Sequence, residues 1–360
     1  MIEELNKFFK TNEIFSLDKE EKKSLFLKYF KKLTNYHYKN CLNYKKICKH
    51  LDYKTDKNLK LQELPFLPVN IFKFLDLRSV KNKSIVRIMH SSGTSSAGFS
   101  KIYLDKINSL NQIKTLNKLF SEATGVKERL PMLVIDTKST LKKDKNFSAR
   151  SAAILGFSVF AKNVTYALKD DMSLDLEAID NFYEKNKGKK LLIFGFTYLI
   201  WQKLLANNKI SKKLNFENSI LIHGGGWKKL KEYKVSNVKF KKLLFENFHI
   251  KKVINYYGMV EQTGSIFFES EKCNYFHTSI FSDIFVRDKE FNEIGFNKRG
   301  MLQLLSVLPT SYPGHNIITE DTGMIIGEDN CKCGKRGKFF EVFDRLKSAE
   351  IRGCGDAISR

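Results

Sequence analysis

Long apolar runs are missing from this sequence. No stretch approaches the about 18 uncharged apolar residues that a membrane-spanning helix needs. The opening MIEELNKFFKTNEIF carries acidic residues early and no apolar run ahead of a small-residue cleavage site, so it does not read as a signal peptide. Proline is scarce, at five residues, and neither an internal repeat nor a long low-complexity linker is present, which sets repeat arrays and linker-joined modules aside. The six cysteines (Cys41, Cys48, Cys273, Cys331, Cys333 and Cys354) are too few and too unevenly spaced for a disulfide framework in a chain this long. Reduced thiols and a soluble cytoplasmic protein, without stable membrane insertion, are the expectation.

Acid is also in short supply: Lys+Arg is 63 against 39 for Asp+Glu, a formal charge of +24, while 42% of residues remain hydrophobic. That balance fits a folded protein with a basic surface and not a disordered basic tail. Lys, Asn, Ile and Phe are heavily used throughout, so the charge reads as chain-wide bias and lacks the clustering of a nucleic-acid footprint. Nucleic acid is therefore not expected as a partner; nucleotides and acidic proteins stay compatible. At 360 residues the chain has room for one large or two ordinary domains, at roughly 150 residues each.

Residues 1–60 read as helices: Leu5, Phe8 and Phe9 recur at helical spacing, and Leu25, Phe26, Tyr29 and Phe30 do so again after an Asp18 start signal. Glu63 to Lys73 carries two of the prolines and reads as an extended connection. Beyond it, strands at Ser84–Met89, Met132–Ile135, Leu191–Phe194 and Ile220–Ile222 alternate with helices at Ile107–Ala123, Leu174–Asn186 and Tyr198–Asn207. Such alternation marks an α/β protein with a largely parallel sheet. From Ile280 the pieces turn β-rich, punctuated by Gly295, Gly300, Pro313 and Gly323. The expected segments are a helical region at 1–60, an α/β core at 61–278, a β-rich subdomain at 279–345 and a short tail at 346–360.

Several pieces carry residue types suited to chemistry. His90–Lys101, HSSGTSSAGFSK, follows a strand with hydroxyls and glycines whose backbone N–H groups can surround phosphate oxygens. It is not a P-loop: Phe99 stands where the lysine belongs, and KIYLD alternates like a strand where a helix should open. In LIHGGGW, Gly224, Gly225 and Gly226 follow a strand and suit a flat ligand lying on bare backbone, or a plain turn. In NYYGMVEQTG, Glu261 offers a hard oxygen for Mg²⁺ or is a surface residue. ITEDTG places Glu320 beside Asp321, apt to accept from ribose hydroxyls or to start a β-turn. FDRLKSAEIRGCGD puts Arg345, Lys347 and Arg352 near Cys354, and neighbouring cations lower a thiol's pKa. Cys331-Lys-Cys333-Gly is half a metal site, with Cys273, Cys354 and scattered histidines as candidates to complete four zinc ligands.

Taken in order, SSGTSSAGFSK, HGGGW, YYGMVE, EDTG and DRLKSAEIRG resemble the core motifs of the adenylate-forming enzymes, the superfamily of acyl-CoA synthetases and firefly luciferase. The chain is most similar to the acyl-protein synthetase (long-chain-fatty-acid–luciferin-component ligase) family, which shares the LPFLP entry, the SAR-x-AAILGF stretch at Ser148–Phe157, the CKCG pair and the AEIRGC ending. This resemblance spans roughly residues 60–360.

It implies an adenylate-forming large N-terminal domain with ATP and Mg²⁺ as cofactors. Ser91, Ser92, Gly93, Thr94, Ser95, Ser96 and Gly98 would lie over the phosphates, and Gly224, Gly225 and Gly226 along adenine. Tyr257 and Gly258 would flank the nucleotide, Glu261 would hold the metal, Asp321 the ribose, and Arg345, at the hinge, ribose or phosphate. A fatty or other carboxylic acid would become an acyl-adenylate, and a thiol would then take the acyl group. Relatives in the wider superfamily continue into a C-terminal domain bearing a catalytic lysine, whereas only 15 residues follow Arg345 here. The acyl-protein synthetases are similarly short and carry a cysteine near the C-terminus; Cys354 matches it by position, with an acyl-CoA reductase, acyltransferase or acyl carrier protein as partner. Lys101, Lys347 or a partner's residue would replace the missing lysine. Two alternatives stand beside this reading: a phenylacetate–CoA ligase-like acyl-CoA synthetase, and a nucleotide-binding remnant without chemistry.

Overall fold

A computed structural model describes residues 2–55, 59–91, 99–141, 148–206, 214–227 and 235–346. They fall into two compact units, one of residues 2–119 with 257–346 and one of residues 120–256.

The first unit opens with three helices, α1 (Ile2–Lys10), α2 (Lys19–Asn40) and α3 (Leu42–His50). Asp18 starts α2 as the sequence suggests: its carboxylate accepts from the N–H groups of Glu20 and Glu21, and Glu21 reciprocates on the Asp18 N–H at 3.2 Å. This capping box satisfies donors that the first turn cannot pair internally. Phe26, Tyr29, Phe30 and Leu33 form the buried stripe of α2. The proline-bearing connection is extended only in part: after β1 (Leu67–Pro68), Val69–Lys73 closes into a 3₁₀ turn that buries Val69 and Phe72. Pro68 sits just ahead of that turn, with its fixed φ already suited to entering it.

Strands β2 (Ile85–His90) and β3 (Lys101–Asp105) make an antiparallel hairpin that runs into α4 (Lys106–Thr124). The second unit follows as β4 (Leu130–Thr137), α5 (Ala149–Ser158), β5 (Ala161–Leu168), α6 (Leu176–Asn186), β6 (Leu191–Phe196), α7 (Thr197–Ile200), β7 (Ser219–Gly224), α8 (Asn237–Phe248) and β8 (Lys252–Gly258). A π turn, Trp201–Leu205, continues α7. The strands pair in parallel in the order β5-β4-β6-β7-β8. Every residue of β6 and β7 is buried, the continuous apolar run that a sheet covered on both faces demands. The last residues of β8, Tyr257 and Gly258, belong to the first unit.

There the chain completes an antiparallel sheet. After β9 (Ile266–Phe268) come β10 (Phe276–His277), β11 (Ser282–Arg287), β12 (Gly300–Ser306), β13 (Asn316–Glu328) and β14 (Lys338–Arg345), ordered β10-β14-β13-β12-β11 with β1 parallel to β13. Gly300 pairs with Gly323 across β12 and β13, and neither position has room for a side chain: an added Cβ would lie 2.3 Å and 2.5 Å from the carbonyl oxygens of Arg287 and Glu341. Among the described residues, no helix is long and apolar enough to cross a membrane.

Candidate active site

Two groups of the sequence-singled residues come together in the first unit. At the loop end of the β2–β3 hairpin the Ser91 N–H reaches the Ser100 carbonyl at 3.4 Å. Ser92, Gly93, Thr94, Ser95, Ser96 and Gly98 lie outside the described residues. Ser91 is buried, and its hydroxyl has no hydrogen-bond partner among the described residues. Ser100 is fully buried, and its Oγ donates to Oε1 of Glu261 at 3.1 Å. Glu261 is itself buried, and among the described residues no lysine or arginine pairs with it. A buried carboxylate without a counter-charge costs several kcal/mol, on the order of the effective desolvation penalty per ion, and a divalent cation beside it offsets that cost. The residues present therefore fit Mg²⁺, which takes one or two carboxylates plus phosphate and water.

The segment carrying Glu261 is held rigidly. Gln262 Nε2 donates to the carbonyls of Leu304 (3.0 Å) and Gly314 (2.8 Å), and the Thr263 N–H to the Tyr312 hydroxyl (2.9 Å). Thr263 Oγ1 donates to Asn108 Oδ1 at 3.1 Å, and Ser306 Oγ to the Thr263 carbonyl at 2.6 Å. A satisfied buried network of this kind fixes the geometry of whatever it carries.

The second group surrounds Asp321. This residue lies in strand β13, not in a turn, opposite Arg345 of β14 at a register shift. The Tyr257 hydroxyl donates to Oδ2 at 2.9 Å and Arg345 Nε to Oδ1 at 3.3 Å. Burial first, and then the negative charge of Asp321, pushes the Tyr257 phenol well above its ordinary pKa, so it stays protonated and donating. Lys101 is exposed, pairs across the hairpin with His90, and forms no ion pair with Glu261 or Asp321 among the described residues. Burial, with the nearby Lys101 charge second, lowers the His90 pKa. Cys354 and Lys347 lie outside the described residues.

The second unit holds the glycines. From β4 the chain moves to one side, to β5, while from β6 it moves to the other, to β7 and β8, so the strand order reverses between β4 and β6. Ligands of open α/β sheets bind in the crevice at the carboxyl ends flanking such a reversal. Gly224 ends β7, and an added Cβ would stand 2.4 Å from the Tyr256 ring. Gly225 has φ +70°, a left-handed conformation that glycine adopts without penalty, and lies against the Phe196 ring. Among the described residues, nothing lies within 4 Å of a Cβ added at Gly226. Gly224 and Gly225 are thus accounted for by ring packing and backbone hand alone, as a plain turn requires.

Sequence reasoning passes over two features, and a third it leaves to an unspecified histidine. His223, directly before the glycines, is buried; its Nδ1 meets Thr197 Oγ1 at 2.9 Å, while that hydroxyl donates to the Gly224 carbonyl at 3.2 Å. Thr197 has only one proton to give, so Nδ1 of His223 carries the proton, and its Nε2, without a partner among the described residues, is an acceptor. Burial holds its pKa at about 3, keeping it neutral. Asp136, at the carboxyl end of β4, is buried and accepts from Arg150 of α5, with Nε at 2.6 Å. The SAR stretch flagged only by resemblance thus supplies a buried ion pair at the strand ends. His277, finally, joins Cys273, Cys331 and Cys333 in one cluster; the Cys273-x₃-His277 spacing was the available signal. The aromatic residues Phe157, Phe194 and Phe196 pack on one another, with Phe157 and Phe194 stacked at 4.6 Å and Phe194 edge-on to Phe196 at 5.7 Å.

Over residues 2–360 the chain matches the family described as acyl-protein synthetase, LuxE. It is 22% identical over 350 residues to the long-chain-fatty-acid–luciferin-component ligase of Vibrio harveyi, covering 95% of this chain and 89% of that one. It is 24% identical over 353 residues to the ligase of the same name from Aliivibrio fischeri, covering 93% and 88%. Among solved structures, a 2-hydroxyisobutyryl-CoA ligase in an open conformation, in complex with 2-HIB-AMP and CoA, superposes with a TM-score of 0.73 at 12% identity, covering 94% of this chain and 72% of that one. At that identity the likeness is one of fold, and it bears out the α/β adenylate-forming architecture expected from the motifs.

Proposed function

The chain belongs to the acyl-protein synthetase family, and from that premise we propose that it activates a carboxylic acid of the fatty class with ATP and passes the acyl group to a protein thiol. A carboxylate oxygen of the acid attacks the α-phosphorus, the bond to the bridging oxygen breaks, and pyrophosphate leaves. A thiolate then attacks the acyl carbonyl of the mixed anhydride; AMP departs with the bond's electron pair, and the thiol proton passes to solvent. The chain's contribution is chiefly positioning and charge stabilisation.

The observation that carries this reading is buried Glu261, anchored by Ser100 at the foot of the hydroxyl-rich loop and free of any cationic partner among the described residues. It is the carboxylate to hold Mg²⁺, whose charge would draw the phosphates into place. Asp321, oriented by Tyr257 and Arg345, is the acceptor for ribose hydroxyls. Gly224 to Gly226 are the candidates to offer bare backbone to adenine, and the Ser91–Gly98 sequence is the candidate for the phosphates. Cys354 is the acyl acceptor, with an acyl-CoA reductase, an acyltransferase or an acyl carrier protein receiving the group from it. Lys101, at the start of β3, is the candidate cation for the reacting phosphates.

The test is exchange of labelled pyrophosphate into ATP. Exchange that requires a fatty acid supports the proposal; none with fatty, aryl or short-chain acids sinks it. Cys354→Ala is expected to leave exchange intact while abolishing gel-stable labelling by radioactive acid.

A further inference from the structure

The thiol–imidazole cluster lies outside the machinery proposed above and is independent of it. Two tight hairpin turns build it. In the first, between β9 and β10, the N–H groups of Cys273 and Asn274 both reach the Ser270 carbonyl, at 3.3 and 2.7 Å, and Asn274 takes a left-handed φ of +62°. His277 follows in β10, paired with Phe339 of β14. In the second, between β13 and β14, Gly334 at φ +84° donates its N–H to the Cys331 carbonyl at 3.0 Å, turning the Cys331-Lys-Cys333-Gly segment back on itself.

One ligand atom from each of Cys273, His277, Cys331 and Cys333 lies within 4.8 Å of all the others. Tetrahedral zinc, with Zn–S near 2.3 Å and Zn–N near 2.0 Å, needs ligand atoms about 3.8 Å apart, so a small contraction closes the shell. The three cysteines are free thiols, and Cys273, His277 and Cys331 are buried against Phe339, Tyr275 and Ile326. His277 is 2% exposed, and the hydrogen-bond partners of its Nε2 among the described residues are sulfurs, 3.1 Å away on Cys333 and 3.6 Å on Cys273. Sulfur is a weak hydrogen-bond partner. With its Nδ1 unpartnered among the described residues and its Nε2 aimed at thiols, this buried imidazole is poorly satisfied as packing, whereas one Nε2 and three sulfurs converging on a point are a zinc ligand set.

We propose that Cys273, His277, Cys331 and Cys333 bind one Zn²⁺ as a structural site. Three thiolates and a neutral imidazole select a soft tetrahedral ion over Mg²⁺ or Ca²⁺, and four protein ligands leave no open position for catalysis. Binding releases the three thiol protons to solvent. The ion ties the β9–β10 turn to the β13–β14 turn. It also lies under the N-terminal segment: Phe15 packs edge-on to His277 at 6.2 Å, its carbonyl accepts from the Arg336 N–H at 3.2 Å, and Lys335 Nζ sits 4.0 Å over its ring. At the far end of the same two strands stand Asp321 and Arg345, so the metal fixes the register on which that pair depends.

Elemental analysis of the full chain, purified reduced and without chelator, is expected to give about one zinc per chain. Wild-type protein stripped with a chelator at neutral pH should take up one Co²⁺ with the intense d–d and thiolate charge-transfer bands of a tetrahedral site, and its melting temperature should rise on reloading. Cys333→Ser should lose most of the metal, His277→Cys should keep it, and Cys354→Ser should be unaffected. The assignment is overturned by protein that arrives without zinc and takes up no cobalt, by iron in place of zinc, by a Cys331→Ser/Cys333→Ser double variant that retains full metal, or by loss of metal in Cys354→Ser.

Discussion

The two units of this chain bury different things. In the parallel-sheet unit, strands β6 and β7 and the helices α6 and α8 bury Leu, Ile and Phe almost without interruption, and the exceptional charges, Asp136 and Arg150, are paired with each other. The other unit interleaves its apolar cluster with buried Lys22, Asp283 and Lys338, with Gln262, Thr263, Gln303 and Asn316, and with the stacked rings of His37 and His315. The first kind of core follows from hydrophobic patterning within a contiguous stretch. The second is assembled from segments at opposite ends of the sequence, where polar pairs set which strand lies against which. Gln303, for example, takes Arg287 and gives to Asn316 at 2.7 Å, binding three strands through one side chain.

The sharpest way to break this contrast is to strand a buried charge in each unit. Arg150→Met leaves Asp136, which is wholly buried, without its cation and should cost about 3–5 kcal/mol in urea unfolding. Lys338→Met leaves Asp283 with Lys22 still 3.9 Å away, and should cost about 1–3 kcal/mol. Equal losses would mean that the shared network gives no such cushion. Next in size, Glu261→Gln keeps the Ser100 contact but removes the charge proposed to hold Mg²⁺. Acid-dependent pyrophosphate exchange should fall about a hundredfold or more, with the melting temperature unchanged or raised; unaltered exchange would remove Glu261 from the site.

Acid sharpens the comparison from another side, since each unit buries a neutral histidine. His37 and His223 are both held at about 3 by burial. Their unfolded-state pKa is near 6.5, so below that pH the unfolded chain takes up protons that the native one refuses. Stability is therefore full above pH 6.5 and lost as pH falls toward 3, by about 2 kcal/mol per histidine at pH 5. His37→Gln and His223→Gln should each flatten the stability–pH curve by a similar amount, and a wild-type curve flat from pH 7 to 5 would contradict the assignment. The smallest effects lie among the glycines. Gly224→Ala, driven into the Tyr256 ring, should cost about 1–3 kcal/mol, whereas Gly226→Ala, whose Cβ meets nothing among the described residues, should stay within about 0.5 kcal/mol by thermal unfolding.

Legibility followed the same division. The Asp18 helix start, strands β2, β4, β6 and β7 and helices α4 and α6 are readable because each is announced by its own residues. Helix α8 and strands β5 and β8 went unread, their apolar positions diluted by Lys and Asn. Tyr198–Asn207 reads as a helix, but the backbone loosens from Trp201 into a π turn that its side chains do not signal.

The sequence by itself determined the α/β class, the family, and which carboxylates, glycines and cysteines to examine, because residue types in a fixed order are one-dimensional information. Only the tertiary structure decided that Ser100 meets Glu261, that Tyr257 and Arg345 converge on Asp321, and that His277 is the partner of Cys273, Cys331 and Cys333. Those pairs are as much as 161 residues apart. Such contacts form only when strands fix their register, and that register is set by burial and hydrogen bonding across the whole unit, beyond the reach of any local window.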